Sequence, residues 1–216
     1  IYLPLIIFGT EKLIDEGKKL QFIIPLALMF IANFYIGWMV GFFTFIYFVY
    51  YFICGTKKEE MSRKESIITL IRFGISTLLA VMCAAALLIP VYYSLKLGKL
   101  EFTTPDYTIR PQFALFDFFS KLLPQSYDTV RNEVLPFVYC GTLTLFMIPL
   151  YFLNNNIETK KKIGNGAMLL SVLLSMYLST VDLAWHGFQV PNWLPYRYSF
   201  VFSFVMLIMA AETFER

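Results

Sequence analysis

The chain has 216 residues, 58% of them hydrophobic and 15% charged, with a mean hydropathy of +0.63. Soluble domains sit at roughly 45–50% apolar and about 25% charged, so an ordinary soluble enzyme is excluded, and the apolar residues gather into long runs as membrane spans do. A net charge of +3 gives no basis for nucleic-acid binding. One histidine rules out a His-rich metal site, and Cys54, Cys83 and Cys140 form no CxxC pair for zinc or a disulfide framework.

Residues 4–19, PLIIFGTEKLIDEGKK, can place Leu5, Ile6, Phe8, Leu13 and Ile14 on one broad face, with Glu11, Lys12, Asp15, Glu16, Lys18 and Lys19 elsewhere. That pattern predicts a short amphipathic helix lying on the membrane surface. Gln21 to Gly55 is too long for one span, since about 20 helical residues cross the hydrocarbon core. Its only polar break is NFYIG, Asn33 to Gly37, so two spans are expected, at about 21–34 and 38–54. The run at about 66–95 reads as one tilted or overlong span. Pro90 can kink it near its outer end, and Arg72 can snorkel from its cytoplasmic end. A polar stretch at about 96–135 follows, containing PQFALFDFFSKLLP, an expected interfacial helix from Pro111 to Pro124. Three further spans are expected at about 136–153, 167–183 and 198–211, with a second loop at about 184–197 between the last two.

Basic residues orient these spans. With Lys18, Lys19, Lys57, Lys58, Arg63, Lys64 and Lys160 to Lys162 inside, the cytoplasmic segments carry eleven of them and the external segments six. That bias is the positive-inside rule. The expected architecture is all-α: a polytopic helical membrane protein of about six transmembrane helices with interfacial amphipathic helices. Period-two alternation is absent, which excludes a β-barrel reading. The chain opens IYLPLIIFG without an initiator Met and ends AAETFER directly after an apolar run, as expected of an internal fragment of a longer protein.

No phosphate-binding Gly-rich loop, HExxH or GxSxG motif is present. Chemistry must therefore come from groups at the membrane face. The first candidate is WHGFQVPNWLPYRYSF, Trp185 to Phe200. It holds His186, Asn192, Tyr196 and Arg197, stiffened by Pro191 and Pro195. Arginine grips a phosphate in a two-pronged fashion, yet Trp, Tyr and Arg also anchor ordinary spans at the interface. Taken singly, His186 also fits a hydrogen-bonded structural role. The second candidate is the turn carrying Asn33 and Tyr35, where Asn and Gly equally supply plain turn geometry. The third is the external acids Glu101, Asp106, Asp117, Asp128 and Glu133, one of which could act as a base, although a solvated polar face explains each. The residues alone leave these alternatives open.

Three segments resemble the YfhO family of bacterial membrane proteins: LALMFIANFYIGWMVGFFTFIYFVYYF, LPFVYCGTLTLFMIPLYFLNN and PNWLPYRYSFVFSFVMLIMA. They follow the family's order, and Pro-Asn-Trp-x-Pro-Tyr-Arg is the most specific element. The resemblance implies a multi-spanning GT-C type glycosyltransferase. It would take sugar from a polyprenyl-phosphate donor on the outer face of the bacterial plasma membrane, and the acceptor would be an envelope polymer such as lipoteichoic acid. No cofactor beyond that lipid-linked donor is implied. The catalytic acid of such enzymes usually lies in a first external loop, before this chain begins, so no catalytic residue is assigned. A donor phosphate needs a cation near the outer interface, which makes Arg197 the candidate contact, with Tyr196, His186 and Asn192 shaping the pocket. Asn33 and Tyr35 are placed in the same pocket as a second expectation. A transporter or flippase for a lipid-linked sugar or envelope polymer would use a similar groove and basic mouth. Such proteins often carry buried charges across the membrane, and mid-span charges are nearly absent here. A non-catalytic scaffold subunit is a third reading, in which neither polar loop would need particular side chains.

Overall fold

A computed structural model describes residues 2–55, 61–98, 105–126, 135–191 and 195–215. Among these described residues ten helices follow one another: α1 Tyr2–Asp15, α2 Leu20–Ala32, α3 Phe34–Cys54, α4 Arg63–Cys83, α5 Ala85–Gly98, α6 Leu115–Ser120, α7 Thr142–Leu153, α8 Thr159–Tyr177, α9 Ser179–Trp185 and α10 Ser199–Glu215. The fold is all-α, with no strand among the described residues; the one β-type contact is an isolated bridge between Pro111 and Leu178. Among the described residues two helices, α3 and α4, are long and apolar enough to cross a membrane. The chain divides into two compact units, residues 1–103 and 104–216.

In the first unit α1 does not lie apart as a surface helix. It packs against α2, α3 and α4, and Leu3, Ile6, Ile7, Leu13 and Ile14 are buried. Their spacing gives one helical stripe, and Leu5 and Phe8 lie off it, exposed. A close crossing brings α1 onto α2. Pro25 has no N–H, so the Gln21 carbonyl cannot receive the usual helical bond from residue 25. Gly9 packs against that carbonyl; a Cβ at this position would fall 2.3 Å from the Gln21 oxygen. The acids of α1 meet tyrosines of α3: Tyr47 Oη donates to Glu11 Oε1 at 2.5 Å, and Tyr51 Oη to Asp15 Oδ2 at 2.8 Å. Both pairs are four residues apart, one helical turn, so the two helices are fastened at two successive levels.

The expected break between α2 and α3 is a single residue, Asn33, in an extended conformation (φ −159°, ψ 105°). Gly37 lies inside α3 rather than in the turn, and its missing side chain lets α3 fold back on the Phe30 ring. The expected single run at 66–95 is two helices meeting at Ala84, upstream of Pro90. There the backbone tightens, with Ala84 N–H lying 3.1 Å from Val81 O and 3.3 Å from Ala80 O. Pro90 sits within α5.

Helix α4 is built inside out for a soluble protein. Thr69, Ser76, Ala80 and the ring of Phe73 are buried, while Ile67, Leu70, Ile71, Leu78 and Met82 are exposed. Small and polar residues at helix contacts with large aliphatics facing outward is how helices pack in lipid, where burying a leucine brings no hydrophobic gain. A capping box starts the helix, with Ser62 and Glu65 exchanging backbone bonds.

In the second unit α10 packs on α7 and α8. Lys161 of α8 pairs with the nearly buried Glu212 of α10 at 2.7 Å, and Asn165 Nδ2 donates to Tyr151 Oη at 2.7 Å. The expected span at 167–183 is interrupted: α8 ends at Tyr177, Leu178 is extended, and α9 restarts at Ser179. The amphipathic stretch from Pro111 to Pro124 is helical only over Leu115–Ser120.

Candidate functional site

The interruption at Leu178 frees backbone groups, and the preceding loop takes them. Gln112 N–H donates to Tyr177 O at 2.9 Å, and Ser179 N–H donates to Arg110 O at 3.1 Å. Ser179 Oγ accepts from Arg110 N–H at 3.1 Å and donates to Thr108 O at 2.7 Å. Thr180 Oγ1 donates to Tyr107 O. Residues 107–112 are therefore laced along the α8–α9 break. This satisfies irregular backbone with protein groups in place of water.

The lacing sets Gln112 beside the Trp185–Phe200 stretch. Tyr196 Oη donates to Gln112 Oε1 at 3.1 Å, and the Gln112 side chain lies beside Asp182, where its dipole favours the charged carboxylate. Tyr198 Oη donates to Asp182 Oδ1 at 2.8 Å. The Trp185 ring stacks on Tyr198 with centroids 4.3 Å apart, and the Phe113 ring meets Tyr196 edge-on. Tyr196 has φ +58°, a left-handed conformation uncommon outside glycine. Burial and the nearby Asp182 carboxylate push the Tyr196 phenol well above its usual range, so it remains a protonated donor at physiological pH.

These contacts place the sequence candidates. Tyr196 and His186 are buried, and Arg197 between its two tyrosines is partly exposed. His186 Nδ1 lies 2.9 Å from the Asp182 backbone oxygen. A carbonyl only accepts, so this bond puts the proton on Nδ1. Its ring centroid is 5.7 Å from that of Tyr198. His186, Tyr196 and Arg197 thus share one locality, while Asn192 lies outside the described residues. Asn33 and Tyr35 belong to the first unit. Asn33 Oδ1 accepts from the Tyr35 and Ile36 N–H groups at 3.1 and 3.0 Å and so caps α3.

Among the external acids, Asp106 accepts from Thr108 N–H and faces Arg110 at 3.0 Å. Those contacts, the Thr108 backbone bond foremost, hold its carboxyl below the usual range. Asp117 lies in α6, and Glu101, Asp128 and Glu133 lie outside the described residues. Among the described residues no group of three or more His, Cys, Asp or Glu side chains could hold a metal ion.

Two residues central to this locality, Asp182 and Gln112, were not candidates. Asp182 had one signal, an acid one turn before the sole histidine at the end of an apolar run. Gln112 had none, because its partners are distant in sequence. A separate cavity of about 410 Å³ opens in the first unit, lined by Asp15, Glu16, Gly17, Glu65 and Arg72 among others. Its polar groups already have structural work. Glu16 pairs with Lys12 and Lys18, Glu65 caps α4, Asp15 accepts from Tyr51, and Arg72 Nη1 approaches Leu13 O at 3.5 Å at the end of α1.

Comparison with known proteins agrees with the lipid-facing character of α4. Residues 1–216 match the family described as Bacterial membrane protein YfhO. The uncharacterised protein YfhO of Bacillus subtilis (strain 168) is 26% identical over 213 residues, which is 98% of this chain and 22% of that protein. The chain thus spans under a quarter of the length of this curated relative. No solved structure matches. With the whole chain matched, and small residues buried where large aliphatics face outward, the protein belongs to the YfhO family of bacterial membrane proteins.

Proposed function

We propose that the chain forms part of a membrane glycosyltransferase that moves a sugar from a polyprenyl-phosphate donor to an envelope polymer such as lipoteichoic acid. In this reading the chain crosses the membrane about six times, with the Lys160 to Lys162 turn cytoplasmic and the Trp185–Phe200 stretch at the outer face. Arg197 contacts the donor phosphate. The observation that carries the reading is the anchored corner: Tyr196 is hydrogen-bonded to Gln112 and Tyr198 to the buried Asp182, and a partly exposed arginine stands between them just before α10. A planar guanidinium on a fixed backbone suits two-pronged recognition of phosphate, and a fixed donor loses little entropy on binding. The proton chemistry is assigned to no residue of this chain.

Full-length protein carrying Arg197→Ala should insert normally and lose sugar transfer by about a hundredfold or more. Transfer of radiolabelled sugar in isolated membranes, beside the membrane-bound protein level, measures both. Normal transfer in that variant overturns the phosphate contact. Movement of a lipid-linked sugar across proteoliposomes without any transfer would replace the enzyme by a flippase.

A further inference from the structure

Arg197 is the middle residue of a three-residue run whose two neighbours are tied to Gln112 and to the buried Asp182. The Tyr196 hydroxyl donates to Gln112, whose side chain lies beside Asp182, and the Tyr198 hydroxyl donates to the Asp182 carboxylate. Asp182 is 5% exposed and Tyr198 fully buried. A buried carboxylate is tolerated only where partners surround it, and here Tyr198, the residue after Arg197, donates to it while His186 and Gln112 stand beside it. The left-handed backbone at Tyr196 is strained and persists only where surroundings over-determine it. The contacts that do so are the Gln112 bond and the Phe113 ring contact.

We infer that Asp182 and Gln112 are positioning residues for Arg197: they fix the backbone on both sides of it and thereby aim the guanidinium at the phosphate of a lipid-linked ligand. This rests on the phosphate-contact reading above. Neither residue touches the ligand. Tyr198 is the link from Asp182, and Tyr196 the link from Gln112. A looser corner still admits the lipid chain and loses only the charge-directed contact.

The test uses full-length protein in lipid nanodiscs and two photoactivatable probes of equal chain length, a polyprenyl phosphate and an uncharged polyprenol. Tyr198→Phe keeps the ring that stacks on Trp185 and removes one donor. Gln112→Leu keeps bulk and removes the other link. Each should weaken capture of the phosphate probe by about fivefold to tenfold and leave capture of the polyprenol unchanged. Asp182→Asn, which retains an acceptor for Tyr198, should fall nearer the unaltered protein. Equal loss of both probes in the folded variants would reduce the pair to general structural support and overturn the inference. Unchanged phosphate capture in Tyr198→Phe and Gln112→Leu, with loss in Arg197→Ala, would overturn the positioning role alone. Unchanged phosphate capture in Arg197→Ala would overturn it together with the reading it rests on.

Discussion

The first unit spends its polar side chains tying helix to helix, and the second spends many of its own tying loop to helix. In the first, Glu11 and Asp15 on α1 meet Tyr47 and Tyr51 on α3, and Arg72 of α4 approaches the last turn of α1. Those bonds join regular helices. In the second, Ser179, Thr180, Gln112 and Asp182 hold segments with no helical bonds of their own. The difference separates a packing device from a presenting device. Helix-to-helix bonds fix a bundle, whereas loop-to-helix bonds fix irregular backbone in a chosen geometry, which is where binding groups usually sit.

The comparison can be broken most sharply at Gly9. If the first unit depends on close helix approach, Gly9→Leu should lower unfolding stability by about 3 kcal/mol, because the new side chain would drive α1 off the Gln21 carbonyl. Gly74→Leu, where a Cβ meets nothing within 4 Å, is the matched control and should be near neutral. Denaturation in detergent micelles measures both, and equal stability of the two variants would remove the close-crossing account. In the second unit Ser179→Ala removes one acceptor and one donor from the 107–112 segment. Local opening there should become easier by about 1–2 kcal/mol. Amide hydrogen exchange at Arg110 and Gln112 should accelerate while α10 stays protected. Uniform acceleration across the unit would show that the lacing supports the whole fold rather than the loop. The smallest effect is expected from Tyr51→Phe, at about 0.6 kcal/mol, since a hydrogen bond between helices of a membrane protein competes with partners found in the unfolded state. A loss several times larger would mean that the α1–α3 bonds carry the bundle more than its packing does.

Much of the helical layout was legible in the sequence, because apolar runs and their polar breaks are local signals. Asn33 announced the α2–α3 turn, and the amide caps α3 there. The placement of α1 was not legible. Its carboxylates looked like a solvated face, and the hydroxyls that satisfy two of them lie a whole helix away, on α3. The break at Leu178 carried no proline or glycine to mark it, since its cause is the loop that pairs with it. For the candidate site, Tyr196, Arg197 and His186 stood out by type within one stretch. Asp182 and Gln112 did not, because a hydrogen-bond network closed by residues far apart along the chain has no spacing to read.

Asn33 has a consequence for the α2–α3 hairpin. Helix α2 has 13 residues and α3 has 21, which at about 1.5 Å per residue gives arms of about 20 and 32 Å. The shorter arm falls well below a hydrocarbon thickness of about 30 Å. A helix start ordinarily needs water or a neighbouring group for its first backbone donors. Here the amide of Asn33 takes two of those donors itself, so the tip carries its own solvation. The turn closes within one residue and asks nothing of whatever medium surrounds it.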